Sequence, residues 1–289
     1  MDSAQKTTTR IKPALIGMTL SELESVAKEG GMPRFVAKQL AQWLYEKRVT
    51  SFDEMANISK KNKQWLEEYY VIGREEPVSN LKSEDGTVKY LFNVGDGKKI
   101  ESVYIPDKDR ATLCVSSQVG CRMNCYFCMT GKQGFKGNLT AAQIINQILS
   151  IPPKAPKGFE PMTELTNVVF MGMGEPLDNY ENVMRAIEIL TADWGFAWSP
   201  KRITLSTIGV LPNLKRFLDE CKCHLAVSLH DPFAPERHSV MPVQGAWPIQ
   251  EVIDLIKRYD FTGQRRVSFE YTMFAGFNDT KAHADALFR

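Results

Sequence analysis

Three of the six cysteines in this 289-residue sequence, Cys121, Cys125 and Cys128, fall in one short stretch, "SSQVGCRMNCYFCMTGKQGF" (116–135). The spacing, C-x3-C-x2-C, lets a single loop wrap three thiolates around a metal centre. Gly120 and Gly131 on either side permit the tight backbone this needs. The informative feature is the ligand count. Structural zinc sites are closed by four ligands, usually as separated pairs, and Fe–S clusters normally use four thiolates as well. A set one ligand short leaves a metal position open, as a reactive centre requires. Spacing alone leaves two readings: an Fe–S cluster with a vacant iron, or a zinc turn completed by a distant ligand such as His224 or Cys223. The N-terminal stretch "MDSAQKTTTRIKPALIG" has no apolar run of signal-peptide length. A reducing, cytoplasmic setting is therefore expected, in which clustered cysteines are metal ligands or redox groups rather than disulfides.

The cysteine loop follows "TLCVS" (112–116), the first of a series of short apolar runs. The others are "TNVVFMG" (166–172), "RITLS" (202–206), "HLAVS" (224–228) and "RVSFEYTMF" (266–274). Helical patterns fall near 140–150, 179–190, 211–220, 249–259 and 280–288. Strands alternating with helices predict an α/β fold of parallel strands, open or curled into a barrel. In such folds ligands sit at the carboxyl ends of the strands. Here those ends read "MGMGEP" (171–176), "LSTIGV" (205–210) and "SLHDP" (228–232), so small residues, hydroxyls, a carboxylate and an imidazole converge on one face with the cysteines. Gly172-x-Gly174 lacks the third glycine of a dinucleotide fingerprint. Taken singly, His230 reads as a structural hydrogen-bonding residue, Cys114 as strand core and Glu101 as a solvent-facing strand residue.

The elements that must carry this face are legible further upstream. Thr19-Leu-Ser-Glu22 and Ser51-Phe-Asp-Glu54 fit capping boxes, and Pro33 suits the first position of an amphipathic helix through Phe35, Val36, Leu40, Trp43 and Leu44. A third helix is predicted from about Ser59 to Tyr70. Val88, Tyr90, Phe92 and Val94 then alternate with polar residues, Gly95-Asp-Gly97 supplies a turn, and "KKIESVYIP" returns as the second strand of a hairpin. The expected organisation is a helical N-terminal domain (1–85), a hairpin linker (86–109) and an α/β domain (110–289). "SIPPKAPKGFEP" (150–161) reads as a surface connection. Composition is that of an ordinary globular protein, 43% hydrophobic and 24% charged, and the net charge of +2 singles out neither nucleic acid nor membrane as a partner. No window approaches the length of a membrane span. Lys132, Lys136, Lys201, Arg202, Arg265 and Arg266 are candidate phosphate contacts, although scattered basic residues are usually solvated surface.

C-x3-C-x2-C after the first strand, with "MGMGEP" after the second, resembles the radical S-adenosylmethionine (SAM) enzymes. The longer strings "RATLCVSSQVGC", "TGKQGFKGNLTAAQI", "VVFMGMGEPL" and "SLHDP" resemble the RNA adenine-C2 methyltransferases of the RlmN type. That resemblance extends from about residue 18 onward and implies a partial (β/α) barrel of the radical SAM type with a helical N-terminal domain, an RNA-binding accessory, and a β-hairpin. It implies a 4Fe-4S cluster on Cys121, Cys125 and Cys128, whose open iron takes the amino and carboxylate groups of S-adenosyl-L-methionine and which generates a 5′-deoxyadenosyl radical. Such force is needed because adenine C2 is electron-poor and no nucleophile. Gly174 and Glu175 would line the methionine part of the cofactor, and Ser206, Ser228, Leu229 and His230 the rest. Glu101 matches the proton acceptor. Cys114 matches the thiol that resolves an enzyme–RNA adduct through disulfide formation. The implied partners are 23S rRNA and tRNA, with flavodoxin or ferredoxin as electron donor and a monomer as the working unit.

The family's methyl-carrying cysteine, in a Cys-Gly-Gln-Leu context, has no counterpart in the sequence. The cysteines after Cys128 are Cys221 and Cys223 in "ECKCH", read as packing or surface residues. The expectation is a chain cut short of that segment, one that binds cluster and cofactor but does not complete methyl transfer. An uncovered barrel edge should then lower its stability. Two other readings remain: a non-catalytic RNA-binding protein with a structural metal turn, or a radical SAM enzyme with another substrate.

Overall fold

The computed structural model describes residues 12–151, 164–263 and 265–288. The proline-rich connection falls largely outside them. The chain opens with helices α1 (Leu20–Glu29), α2 (Phe35–Ala41, running on as a wider π turn through Gln42–Glu46) and α3 (Lys60–Tyr69). Thr19 closes its capping box on Glu22, and Ser51 does the same on Glu54 for a single 3-10 turn, Phe52–Glu54. Pro33 lies outside the first helical position, because Arg34 caps α2. Leu15 and Ile16 donate backbone bonds to Val71 and Ile72, which ties both ends of the helical module together. Tyr45, almost fully buried, bonds Met18 O at 2.6 Å and packs its ring 6.1 Å from Trp194 and 6.0 Å from Phe196. The module is thereby seated on the α/β part of the chain.

Strands β1 (Ser79–Lys82), β2 (Val88–Asn93) and β3 (Lys99–Asp107) form an antiparallel meander, and β4 (Arg110–Cys114) pairs antiparallel with β3. Two short strands, β5 (Gln118–Val119) and β6 (Gly137–Asn138), pair with each other and pinch the base of the cysteine loop. Between them lies the one-turn helix α4 (Met129–Lys132). The chain then alternates: α5 (Ala141–Leu149), β7 (Asn167–Phe170), α6 (Tyr180–Thr191), β8 (Ile203–Thr207), α7 (Leu211–Glu220), β9 (His224–Ser228), α8 (Ala234–Val240), α9 (Ile249–Ile256), β10 (Val267–Glu270) and α10 (Lys281–Leu287).

The main sheet has eight strands in the order β1-β2-β3-β4-β7-β8-β9-β10, and β4 through β10 in that order are parallel. The predicted α/β architecture is therefore present as an open, partial barrel. The hairpin is continuous with the barrel sheet through the β3–β4 pairing. Strand β1 and helix α8 are among the elements that carried no sequence signal. All four residues of β1 are exposed, so no alternation marks it. Helix α8, "APERHSV", is short, polar and proline-initiated. The expected strand 266–274 ends at Glu270 because Asn278 takes over the backbone beyond it, accepting from Phe274 N at 2.6 Å and donating to Thr272 O at 2.9 Å.

Alternation along the parallel strands divides the sheet into two faces. Leu113, Val168, Phe170, Ile203, Leu205 and Leu225 are buried under the helices, where Ile144, Val183, Leu214 and Phe217 meet them. The opposite face carries Cys114, Val169, Thr204, Ser206, Ser228 and Glu270, aligned strand to strand by the register. That smaller, more polar face leads to the carboxyl ends, where the site lies.

Candidate active site: a thiol-lined cleft at the strand ends

A cleft of about 440 Å³ opens at the carboxyl ends of β7 to β10, and Cys121, Cys125 and Cys128 all line it. The volume suits a ligand of nucleoside size. The loop that brings the thiols there is fixed by side chains from elsewhere. Gln118 donates to Asn138 at 2.8 Å and Asp178 at 2.7 Å, and accepts from Glu175 N at 2.9 Å. Asn179 donates to Ser117 O at 2.8 Å and Leu139 O at 2.7 Å. Gly120 is required outright: its φ is +70° and a Cβ there would lie 1.7 Å from Gly134 O. Tyr126 N bonds Val240 O at 2.9 Å, which anchors the loop to the end of α8.

Cys121 and Cys125 are buried and Cys128 is half-buried. Burial pushes the Cys121 thiol up to about 11 and the Cys125 thiol up to about 12. In the metal-free protein these groups therefore hold their protons at neutral pH, and a metal centre must displace them. Among the described residues, the only set of three metal-type ligand atoms lying within 4.8 Å of one another is Asp231, Glu236 and His283. Two thiolates on one zinc ion sit no more than about 4.6 Å apart, twice the Zn–S bond. At least one pair of the three sulfurs therefore lies farther apart than a single zinc ion would hold it. The zinc reading also loses its distant ligands. Cys223 is buried and His224 half-buried at the amino end of β9, whereas the cleft lies at its carboxyl end.

The other walls come from the predicted strand ends. Gly174, Glu175, Ser206, Ser228 and His230 line the cleft with the cysteines. Leu229 is buried behind it. The Glu175 carboxylate is turned inward, accepting from Thr207 Oγ1 at 2.6 Å, Ile208 N at 3.0 Å and Leu177 N at 3.1 Å. Burial nevertheless lifts it to about 7, against those bonds. This side chain braces β7 against β8, and the backbone around Gly174 forms the wall. His230 has a φ of +57°, and its Nδ1 accepts from Thr272 N at 3.0 Å. Burial, with Arg237 nearby, depresses the imidazole to about 4, so it is neutral and carries its proton on Nε2.

Glu101 and Cys114 lie outside the cleft lining but on the same sheet face. Cys114 pairs with Val103, two residues from Glu101, and Ser116 Oγ bonds Glu101 O at 2.6 Å. The Glu101 carboxylate meets Lys89 at 3.1 Å and is partly open to solvent. Burial raises the Cys114 thiol to about 11, with the Glu270 charge adding to the effect. Two of the candidate phosphate contacts are corrected. Arg265 is buried, donating to Leu218 O at 3.0 Å and Cys221 O at 2.7 Å, and Arg202 donates to the Leu165 carbonyl at 2.8 Å.

Two site residues escaped the sequence reading. Arg237, fully buried, donates to Ser228 O at 2.9 Å, Leu229 O at 2.9 Å and Gln244 Oε1 at 2.6 Å, and its charge opposes the rise at Cys125. Glu270 lines the cleft from the last strand. Arg237 sits in the helix without periodicity, and Glu270 in a run that reads as ordinary strand.

The site is thus an open parallel sheet whose first strand end presents three cysteine thiols to a cleft among polar strand ends. Residues 115–288 match the radical SAM superfamily, and residues 14–72 match the ribosomal RNA large subunit methyltransferase N-terminal domain. A probable dual-specificity RNA methyltransferase RlmN from Parabacteroides distasonis is 59% identical over 276 residues, 96% of this chain and 78% of its own length. The dual-specificity RNA methyltransferase RlmN of Geobacter sulfurreducens is 41% identical over 273 residues, 94% of this chain and 74% of its own. The crystal structure of a radical SAM methyltransferase from Sphaerobacter thermophilus superposes with a TM-score of 0.87 at 39% identity, over 95% of this chain and 80% of that one. The chain belongs to the radical SAM superfamily and, within it, to the RlmN family.

Proposed function

We propose that Cys121, Cys125 and Cys128 hold a 4Fe-4S cluster, that S-adenosyl-L-methionine occupies the cleft beside it, and that the reaction served is methylation of adenine C2 in ribosomal and transfer RNA. One observation carries this reading: three thiols, not all within single-ion spacing of one another, line a cleft whose remaining walls are the polar strand ends. The relatives are named as dual-specificity RNA methyltransferases, which supports RNA as the substrate class. Bound there, the cluster supplies the electron that makes radical chemistry available at a carbon that polar methyl transfer does not reach.

The chain's own residues do the positioning. Arg237 holds the Ser228 and Leu229 carbonyls in place and puts a buried positive charge near Cys125. The neutral His230 and the Ser206 and Ser228 hydroxyls offer uncharged hydrogen-bonding groups to a nucleoside. Burial keeps the free Cys114 thiol protonated; in this reading Glu101, on the same sheet face, is the proton acceptor of the reaction and Cys114 the thiol that resolves the enzyme–RNA adduct. Tyr126 and Met129, exposed on the cysteine loop, and Met273, exposed after the last strand, offer apolar surface to an unstacked base. The helical module at 14–72 docks the RNA, in the cytoplasm, with flavodoxin or ferredoxin as electron source.

The test is anaerobic incubation of the reconstituted protein with S-adenosyl-L-methionine and a strong reductant. The protein should form 5′-deoxyadenosine, and single Ala substitutions at Cys121, Cys125 or Cys128 should abolish it. Undiminished product from any of those variants overturns the ligand assignment.

A further inference from the structure

Glu270 ends the last strand of the sheet and reaches back across two neighbours. Its Oε2 accepts from Ser206 Oγ at 2.8 Å on β8 and from Ser228 Oγ at 3.2 Å on β9. Its backbone carbonyl takes Leu229 N at 3.0 Å and His230 N at 3.1 Å. The side chain lines the cleft with both serines and is only half-buried. Among the described residues, no hydrogen bond reaches its second oxygen, Oε1. One carboxylate oxygen therefore organises two wall hydroxyls while the other is left to a ligand. A carboxylate is an acceptor only, so that ligand group must be a donor. Arg237 is committed to the Ser228 and Leu229 carbonyls and to Gln244.

We propose that Glu270 is a cofactor-binding residue whose Oε1 accepts a ribose hydroxyl of S-adenosyl-L-methionine, with Ser206 and Ser228 held as its partners. The inference rests on the cofactor reading above. By the family resemblance, the cofactor's amino group would be bound to the open iron, which would remove it as a donor. Of the donors left, the two neighbouring ribose hydroxyls suit a carboxylate, and a charge-assisted bond of this kind in a partly desolvated cleft is among the stronger single contacts available.

The test is an analogue cycle on the cluster-loaded full chain. Equilibrium dialysis measures Kd for S-adenosyl-L-methionine and for its 2′-deoxy and 3′-deoxy analogues, with the wild type and with Glu270→Gln. The amide keeps a carbonyl oxygen for the serines and removes the charge. The expected result is roughly tenfold weaker binding of the parent cofactor by Glu270→Gln. At least one deoxy analogue should bind the two proteins equally, because the bond is already missing. Ser206→Ala, which leaves the carboxylate in place, should lose less than Glu270→Gln and remain sensitive to the same hydroxyl. Equal weakening of all three ligands would mark Glu270 as merely structural, and unchanged parent affinity would remove it from the site; either overturns the proposal. A wild-type chain that binds no cofactor while holding its cluster overturns the cofactor reading and this proposal together, which separates the two failures.

Discussion

The molecule contains two cysteine-rich stretches that differ in everything except sulfur. Cys121, Cys125 and Cys128 stand on a loop pinned from outside by Gln118 and Asn179, and they face an open cleft. Cys221 and Cys223 stand two residues apart between α7 and β9, at 4% and 0% exposure. There Cys221 Sγ accepts from Cys223 N at 3.5 Å, and a hydrogen bond to Cys221, reinforced by burial, holds the Cys223 thiol far above its ordinary value. The first set has space on one side and a buried cation, Arg237, near Cys125. The second is sealed in the hydrophobic core, where a sulfur is a compact apolar group. Access and spread make a ligand set; cysteine density does not.

The largest effect that tests this contrast is on bound iron. Cys125→Ala should reduce iron in the reconstituted protein from about four atoms per chain to near none, whereas Cys223→Ala should leave it unchanged. Iron analysis after gel filtration reads both, and equal losses would erase the distinction. Arg237→Met comes next. It leaves the Ser228 and Leu229 carbonyls and Gln244 without their donor, so urea unfolding should show a loss of about 3 kcal/mol. An unchanged midpoint and slope would show that the buried cation does not support the cleft wall.

A smaller effect depends on pH. His230 is depressed from 6.5 to about 4 in the folded chain, chiefly by burial. The unfolded chain therefore binds the extra proton first, and stability contributed by this group falls as pH drops from about 6.5 to 4 and is flat outside that window. The cluster-free wild type should lose about 2 kcal/mol more over this range than His230→Gln, as read by parallel unfolding curves. Parallel slopes would mean that the imidazole is not desolvated. The smallest effect belongs to the sealed pair: Cys223→Ala should cost about 1 kcal/mol, the ordinary price of a small core deletion, visible as a lower thermal midpoint.

Much of this arrangement could be read from the sequence, for local reasons. The cysteine loop is contiguous, so its spacing states its own geometry. The strand ends "MGMGEP", "LSTIGV" and "SLHDP" follow apolar runs that reveal their own boundaries, and Thr19 and Ser51 cap where their partners three residues on require. What stayed hidden depends on contacts between distant parts of the chain. Glu270 acquires its role from serines 64 and 42 residues away, and nothing in "VSFEYTMF" announces them. Arg237 lies in a short polar helix without periodicity, and its burial follows only from where α8 packs. Arg265 shows the reverse error, a basic residue that looks available to phosphate and is spent on backbone carbonyls. Cys114 and Glu101 share a face only because β3 pairs with β4 in one particular register.

The most direct test of the central claim is the metal and sulfide content of the protein reconstituted with iron and sulfide under strict exclusion of oxygen, together with its absorption spectrum before and after S-adenosyl-L-methionine is added. About four irons and four sulfides per chain are predicted, with a brown chromophore that the cofactor perturbs. A colourless protein carrying one zinc and no sulfide would contradict the account.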